Sequence, residues 1–204
     1  MEPPFVSSPL PPTPDFGALE DRGVATSEQR KEIISHVGNL VFAWSNNESL
    51  FIYVLQILLR TDFPSAVVTF ISLNTTRARL DLIRRLARLR LPDDEAVKRL
   101  DKLIERFNDC TRLRNEFNHC IYQVDAAGRI THTNVLRVKE TPKGLEYVET
   151  RPFDAARIAE IERAVRRLTR LNRDLWAFLP VLQQAIRRAV ETAKGPRKPS
   201  GGNS

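Results

Sequence analysis

Long stretches of helically spaced apolar residues constrain the fold of this chain more than any other feature of its sequence. Apolar side chains recur at intervals of three and four residues in four segments: residues 26–60, 65–90, 92–120 and 154–193. Such stripes are buried by packing helix against helix. The sequence therefore predicts an all-α fold, an up-and-down helical bundle of four to five long helices. Thr26 or Ser27 is expected to cap the first helix, and Pro180 to kink or break the last.

The helical spacing stops at Cys120 and gives way to an alternation that is typical of strands. The segments CIYQVD and RITHTNVLRV read as two short strands joined by a glycine-containing turn, and GLEYVET is the candidate for a third strand. We therefore expect a small β-hairpin at about residues 120–150, inserted before the C-terminal helices. The helical domain then covers residues 26–193. It lies between a disordered Pro-rich tail at 1–25 and a flexible basic tail at 194–204.

Composition excludes several classes of protein. The two cysteines, Cys110 and Cys120, cannot form a disulfide framework, which favours the reducing cytoplasm. No apolar run is long enough to cross a bilayer, so we expect no membrane association. The 3 histidines lack the spacing of a zinc site, and no glycine-rich phosphate loop is present, so we expect no metal and no cofactor. The formal charge of +7 fits a polyanionic partner, or arginines that merely solvate helix faces.

Two ionisable residues interrupt the apolar stripes of the first and third helices. The first stripe runs Val37, Val41, Trp44, Glu48, Phe51, Leu55, Leu58. The other runs Leu100, Leu103, Phe107, Cys110, Arg114, Phe117, Ile121. An unpaired charge at such a position is unfavourable by several kcal/mol. We therefore expect Glu48 and Arg114 to face each other, or to share one pocket, across two packed helices.

The segment RNEFNH, residues 114–119, adds polar groups beside Arg114. Asn115 and His119 are four residues apart and share a helix face, whereas His119 lies about 140° around the helix from Arg114. This set suits phosphodiester chemistry without a metal, because histidine moves a proton near neutral pH and arginine holds a phosphate through two hydrogen bonds. Asparagine can orient the attacking hydroxyl or the imidazole. Arg114, Asn115 and His119 are therefore the candidate catalytic residues, with Glu48 in support.

Arg114 to His119 resembles the Arg–polar–three-residue–His motif of the HEPN superfamily, which sits at the end of a bundle helix. The similarity extends to the layout over roughly residues 26–179: an acidic residue, Glu48, in an early helix, a long helix that ends in the motif, and a closing helix. The resemblance implies a metal-independent endoribonuclease of the toxin, defence or RNA-processing type. It also implies a homodimer whose two motif helices line a basic cleft, with RNA as substrate and an antitoxin or another protein as partner.

The same resemblance implies a role for each candidate residue. His119 would be the acid/base for attack by a ribose 2′-hydroxyl, and Arg114 would stabilise the charge that develops on the phosphate. Asn115 would take the polar position that supports them. Glu48 would hold Arg114 in place or tune it.

Two other functions remain open at this level. Many HEPN domains are binding modules without activity, and here Cys120, Ile121 and Tyr122 follow His119, whereas many relatives have glycine and an aromatic residue soon after the histidine. The second hypothesis is thus a catalytically inactive module that binds RNA, a nucleotide or a protein partner. The third is a structural helical protein in which Glu48 and Arg114 form an ion pair that fixes helix register.

The remaining chemistry-bearing residues have simpler interpretations. Cys110, Trp44 and Trp176 are expected in the core, whereas His36 is expected at or partly beneath the surface and His132 on an exposed strand. The last long helix carries a run of closely spaced arginines that includes Arg163, Arg166, Arg167, Arg170 and Arg173. They are interleaved with acidic residues, which predicts a solvated face unless several of them line the groove of the motif.

Overall fold

The computed structural model describes residues 13, 15–91, 94–141 and 144–194. Nine elements follow one another along these residues: α1 (Phe16–Ala25), α2 (Ser27–Leu59), α3 (Phe63–Ile71), α4 (Thr76–Arg90), α5 (Glu95–His119), β1 (Cys120–Val124), β2 (Ile130–Thr141), β3 (Gly144–Pro152) and α6 (Ala155–Lys194). The chain is mostly helical and carries a small antiparallel sheet, which confirms the predicted fold class in outline. The sheet begins at the predicted residue and includes the third strand.

The core lies where α2, α5 and α6, the three longest helices, meet. Each of them contributes one fully buried phenylalanine: Phe51, Phe107 and Phe178. The ring centroid of Phe107 lies 5.3 Å from that of Phe51 and 5.3 Å from that of Trp44. Trp44 is buried, as predicted, and Cys110 is buried beside these rings on α5. Burial of such rings provides a large part of the driving force for packing the three helices together.

The second helical segment is not continuous, and its prediction as one helix from 65 to 90 was wrong. α3 ends at Ile71 and α4 begins at Thr76 after a Ser-Leu-Asn-Thr linker. Thr75 caps α4 because its side chain accepts a hydrogen bond from the backbone N–H of Ala78 at 3.1 Å. Arg79 then reaches back and donates its Nε–H to the backbone carbonyls of Phe70 in α3 and Leu73 in the linker. Polar side chains therefore satisfy both ends of the break.

Pro180 was predicted to kink or break the last helix, and the break does not occur. α6 runs unbroken through Pro180, although proline removes one backbone donor and crowds the preceding turn. Phe178 and Leu182 on either side of it are fully buried, and these contacts hold the helix against α2 and α5. Tertiary packing outweighs the local preference here.

Part of the segment predicted as a disordered tail is helical. Residues 16–25 form α1, which Asp15 caps by accepting a hydrogen bond from the N–H of Ala18 at 3.0 Å. None of the residues of α1 is buried. Most of the predicted N-terminal tail before α1 lies outside the described residues, as does the predicted C-terminal tail after Lys194.

The sheet has the strand order β1-β2-β3, with both pairs antiparallel. Gly128 in the β1–β2 turn has a positive φ of 83°, which a side chain would strain. The turn docks on the start of α2, where the hydroxyl of Thr26 donates to the carbonyl of Gly128 at 3.1 Å. The side-chain amide of Gln29 both donates to the carbonyl of Ile130 and accepts from its N–H. The hairpin is thus fastened to the helical part of the chain.

None of the described helices is by itself both long and apolar enough to cross a membrane. The one combination that meets that test is α2 with α3, two helices bent by 117° relative to each other.

Candidate functional site

The RNEFNH motif occupies the last two turns of α5. The helix is capped at Asp94, whose carboxylate accepts from the N–H of Ala96 at 2.7 Å, and it ends where the backbone of Cys120 becomes extended. Arg114 is half-buried, while Asn115 and His119 are exposed. The motif side chains therefore spread around the helix rather than pointing one way.

Arg114 stacks on an aromatic ring of α2 instead of forming an ion pair. Its guanidinium carbon lies 3.4 Å from the centroid of the Trp44 ring. Its Nε is buried and has no hydrogen-bond partner in the part of the chain that the structure describes. Among the described residues no carboxylate bonds to this guanidinium. Trp44 is itself oriented, because its indole N–H donates to the hydroxyl of Thr111 at 2.8 Å. An arginine held in this way keeps hydrogen-bonding capacity for an anion.

Glu48 has different partners from the one predicted. Its carboxylate accepts a hydrogen bond from the hydroxyl of Thr76 at 2.6 Å and forms an ion pair with Arg79 at 3.1 Å. The predicted Glu48–Arg114 ion pair is not formed, because the unpredicted start of α4 brings two donors closer to the carboxylate. Burial lowers the pKa of Arg114, and Glu48 remains near enough to oppose that effect. Glu48 thus acts on Arg114 through its field and not through a direct bond.

An exposed stripe of α5 carries the other two candidate residues together with a third that the sequence analysis missed. Arg112, Asn115 and His119 are spaced three and four residues apart and are all exposed. Arg112 pairs with Asp109 one turn earlier, at 2.7 Å. The helical spacing that linked Asn115 to His119 also reaches Arg112, so the signal was present in the sequence.

This stripe continues into a basic groove between α5 and α6. A cavity of about 530 Å³ there is lined by Arg106, Asp109, Arg112, Arg167 and Arg170. Arg106 is partly neutralised by an ion pair with Asp174 at 2.7 Å. Arg167 and Arg170 of α6 thus share a groove with α5, and the four cations outnumber the single lining carboxylate. Such a surface suits phosphate groups.

A buried charge cluster lies inside the motif and was not predicted. Glu116 is only 6% exposed and bonds to Arg157, also 6% exposed, and to Arg151 at 3.1 Å. Arg157 additionally pairs with Glu160 and lies 4.7 Å from the ring centroid of Phe117. The cluster ties the end of α5 to β3 and to the first turn of α6. A charged residue on the buried side of a helix can be seen in the sequence, but its partners, 35 and 41 residues away, cannot.

The environments of three other residues also bear on the predictions. Trp176 is 52% exposed, so its assignment to the core was wrong. His132 is half-buried, and its Nδ1 lies 3.0 Å from the hydroxyl oxygen of Thr131. His36 is half-buried, as expected, with its Nε2 4.0 Å from a carboxylate oxygen of Glu32.

The thiol of Cys120, next to His119, is half-buried and donates to the carbonyl of Phe117 at 3.6 Å. Burial raises the pKa of this thiol. It is therefore a poor nucleophile near neutral pH. Within the part of the chain that the structure describes, no group of three or more His, Cys, Asp or Glu side chains is arranged to hold a metal ion.

Comparison of the chain with family models, with curated proteins and with solved structures finds no match in any of the three.

Proposed function

We propose that this chain is a HEPN-like, metal-independent endoribonuclease, an up-and-down bundle that acts as a cytoplasmic homodimer of the toxin, defence or RNA-processing type. One observation carries the proposal: the guanidinium of Arg114 is held against Trp44 with no ion-pair partner among the described residues, five residues before an exposed histidine. An arginine fixed by stacking and left unneutralised is prepared to bind a phosphate.

In the proposed reaction, the ribose 2′-oxygen forms a bond to phosphorus and the bond from phosphorus to the 5′-oxygen breaks. His119 accepts the proton of the 2′-hydroxyl, and the protonated imidazole supplies a proton to the leaving 5′-oxygen. Arg114 binds the non-bridging oxygens, whose negative charge grows in the transition state. Asn115 orients the hydroxyl or the imidazole. The products are a 2′,3′-cyclic phosphate and a 5′-hydroxyl.

A second copy of the chain brings an Arg114 and a His119 to the same phosphate, which one chain alone does not do. Within one α5 helix, Arg114 and His119 project about 140° apart, too far to hold one phosphate together. In a two-fold dimer, Arg114 of one protomer can face His119 of the other. The exposed stripe of Arg112, Asn115 and His119 and the adjoining arginine groove would then line the path of the RNA.

The first test is cleavage of a mixed pool of single-stranded and structured RNA in EDTA. We expect cleavage with 2′,3′-cyclic phosphate ends, and a rate about 10²- to 10⁴-fold lower for His119→Ala, the usual contribution of an acid/base group. His36→Ala is the matched control, since it removes a half-buried histidine of α2 and should leave the rate unchanged. Equal cleavage by wild type and His119→Ala would refute the assignment.

Subunit mixing tests the shared site. Arg114→Ala and His119→Ala proteins should each be inactive, but a mixture that exchanges subunits should regain up to about a quarter of the wild-type activity, because half of the dimers then hold one intact composite site. If the site lies within one protomer, mixing restores nothing.

The alternative is a catalytically inactive module that binds RNA, a nucleotide or a protein partner. If the protein is a monomer, the different directions in which Arg114 and His119 project favour the inactive module over the enzyme. A monomeric native mass together with no cleavage of any RNA would support this alternative over the enzyme.

A further inference from the structure

A groove between α2 and α6, on the side of these helices away from α5, has a composition unlike the rest of the surface. It consists of two adjacent cavities of about 570 and 600 Å³, and both are lined by Tyr53 and Trp176. Between Asn39 and Ile57 of α2 the groove spans about 27 Å at 1.5 Å per residue. It is therefore long enough to hold an extended polymer rather than one small molecule.

Aromatic side chains lie open along this groove. Trp176 is 52% exposed and Phe42 is 70% exposed, and both rings line the same cavity. Trp176 is held by a row of rings: its centroid lies 5.6 Å from that of Tyr53, which stacks on Phe63 at 5.2 Å. The ring is thus oriented in advance, with half of its surface free to stack.

The charges along the groove have one sign. Three arginines line it, Arg60, Arg173 and Arg187, and no aspartate or glutamate does. None of the three forms an ion pair among the described residues. The neighbouring carboxylates are engaged elsewhere or lie outside the lining: Asp174 pairs with Arg106 on the opposite side of α6, and Asp62 caps α3 through Ser65.

Amide side chains complete the lining. Asn39, Asn46 and Asn172 line the cavity that contains Phe42, and Gln56 and Gln183 line the one that contains Arg187. Amides both donate and accept hydrogen bonds, as base edges and sugar hydroxyls require. Exposed aromatic rings beside cations that lack an ion-pair partner among the described residues match the way in which proteins hold single-stranded nucleic acid with little sequence preference. The amides add hydrogen-bonding groups to this surface.

We infer that the α2–α6 groove binds single-stranded nucleic acid, with Trp176 as a base-stacking platform and Arg60, Arg173 and Arg187 as contacts to the phosphates. This surface is distinct from the α5 motif. Its function does not depend on whether the chain cleaves RNA.

The test uses the full chain and a fluorescein-labelled oligothymidylate, followed by fluorescence anisotropy. This probe has no 2′-hydroxyl and cannot undergo the proposed cleavage, so binding is measured independently of it. We expect saturable binding, weakened about 5- to 150-fold in Trp176→Ala, the effect of losing one stacked base. The affinity of Trp176→Phe for the oligothymidylate should lie between those of wild type and Trp176→Ala. Phe16→Ala removes an exposed aromatic ring of α1 outside the groove and should bind like wild type.

The arginines are tested by the salt dependence of the affinity. Arg173→Ala and Arg187→Ala should each reduce the slope of log K against log salt by about 0.7, the value for one phosphate contact on a single strand. Arg85→Ala removes an exposed arginine of α4 outside the groove, and it should not reduce the slope of log K against log salt by this amount.

Three outcomes would overturn the inference. They are the absence of an anisotropy change, equal affinity of Trp176→Ala and wild type, and equal affinity for a duplex of the same length, whose bases are not free to stack. A native mass that falls from dimer to monomer in Trp176→Ala would also overturn it, because the groove would then be an interface between two copies of the chain.

Discussion

The guanidinium of Arg114 is held by the Trp44 ring at 3.4 Å, while its buried Nε has no hydrogen-bond partner within the described ranges of the chain. The ring contact contributes about 0.5–2 kcal/mol to stability. A buried donor without a partner costs about 1–3 kcal/mol. The two effects nearly cancel, so this arginine contributes little to the stability of the folded chain.

Arg114→Met should therefore leave the free energy of unfolding within about 1 kcal/mol of wild type or slightly higher, because the long apolar side chain still covers Trp44. RNA cleavage should be lost. Urea unfolding followed by circular dichroism measures the first effect. A loss of more than about 2 kcal/mol would mean that Arg114 is mainly structural.

Double-mutant cycles test whether Glu48 is bonded to Arg79 or to Arg114. The coupling energy between Glu48→Gln and Arg79→Met should be about 1–3 kcal/mol, as for a partly buried charged hydrogen bond. The coupling between Glu48→Gln and Arg114→Met should be below about 0.5 kcal/mol, because no bond joins the two side chains. A larger coupling energy between Glu48 and Arg114 than between Glu48 and Arg79 would instead support the ion pair predicted from the sequence.

Removal of the Glu116 carboxylate should be strongly destabilising. Glu116→Leu leaves the buried Arg157 without its main partner, which costs about 3–5 kcal/mol in unfolding free energy. The double replacement Glu116→Leu with Arg157→Met should recover a large part of this loss. Glu105→Ala, at an exposed position of α5, is the control and should change stability by less than about 0.5 kcal/mol. Equal losses in the single and double variants would contradict the account.

Pro180→Ala should stabilise the chain by about 1–3 kcal/mol. Alanine restores the backbone donor that proline removes from the interior of α6 and relieves its clash with the preceding turn. Thermal unfolding measures the gain, and Arg163→Ala at an exposed position of the same helix is the control. An unchanged or lower midpoint in Pro180→Ala would show that α6 is already adapted to the proline.

Alkaline pH should destabilise the protein. Burial raises the pKa of Cys110, Cys120 and Tyr122. Below the ordinary thiol pKa, about 8.5, these groups are neutral in both the folded and the unfolded chain, so their contribution to stability is fully present. Above it the unfolded chain ionises first, and the contribution is lost as the pH rises toward the folded-state pKa values.

Tyr122→Phe with Cys120→Ala should flatten the decline measured by urea unfolding above about pH 9. Identical declines in the variant and wild type would assign the effect to other groups.

The sequence predicted the features that depend on local periodicity and could not predict those that depend on distant partners. The start of the sheet at Cys120 and the burial of Cys110 followed from spacing alone. Trp176 was misplaced because it was assigned to the core as a large aromatic residue, and the sequence could not show that α6 leaves this ring in an open groove. The break between α3 and α4 depends on capping by Thr75 and on Arg79, whose long side chain reaches back over it.

The charged residues illustrate the same limit. The sequence indicated that Glu48 and Arg114 each required an explanation, and it offered the simplest one, that they pair with each other. The structure gives each a separate solution, an ion pair with Arg79 and a stack on Trp44. Which of several cations meets a carboxylate is decided by the three-dimensional path of the chain.

The reciprocal hydrogen bonds between Gln29 and Ile130 have a consequence for sequence variation. The side chain must donate to a carbonyl and accept from an N–H at the same time, and it must reach across from α2 to the hairpin. A glutamate would set a carboxylate against the carbonyl oxygen, and asparagine is one methylene shorter. Among the standard amino acids, glutamine alone offers this neutral pair at this length. A chain that retains the docked hairpin should therefore retain glutamine here, which makes this surface position a marker for recognising distant relatives.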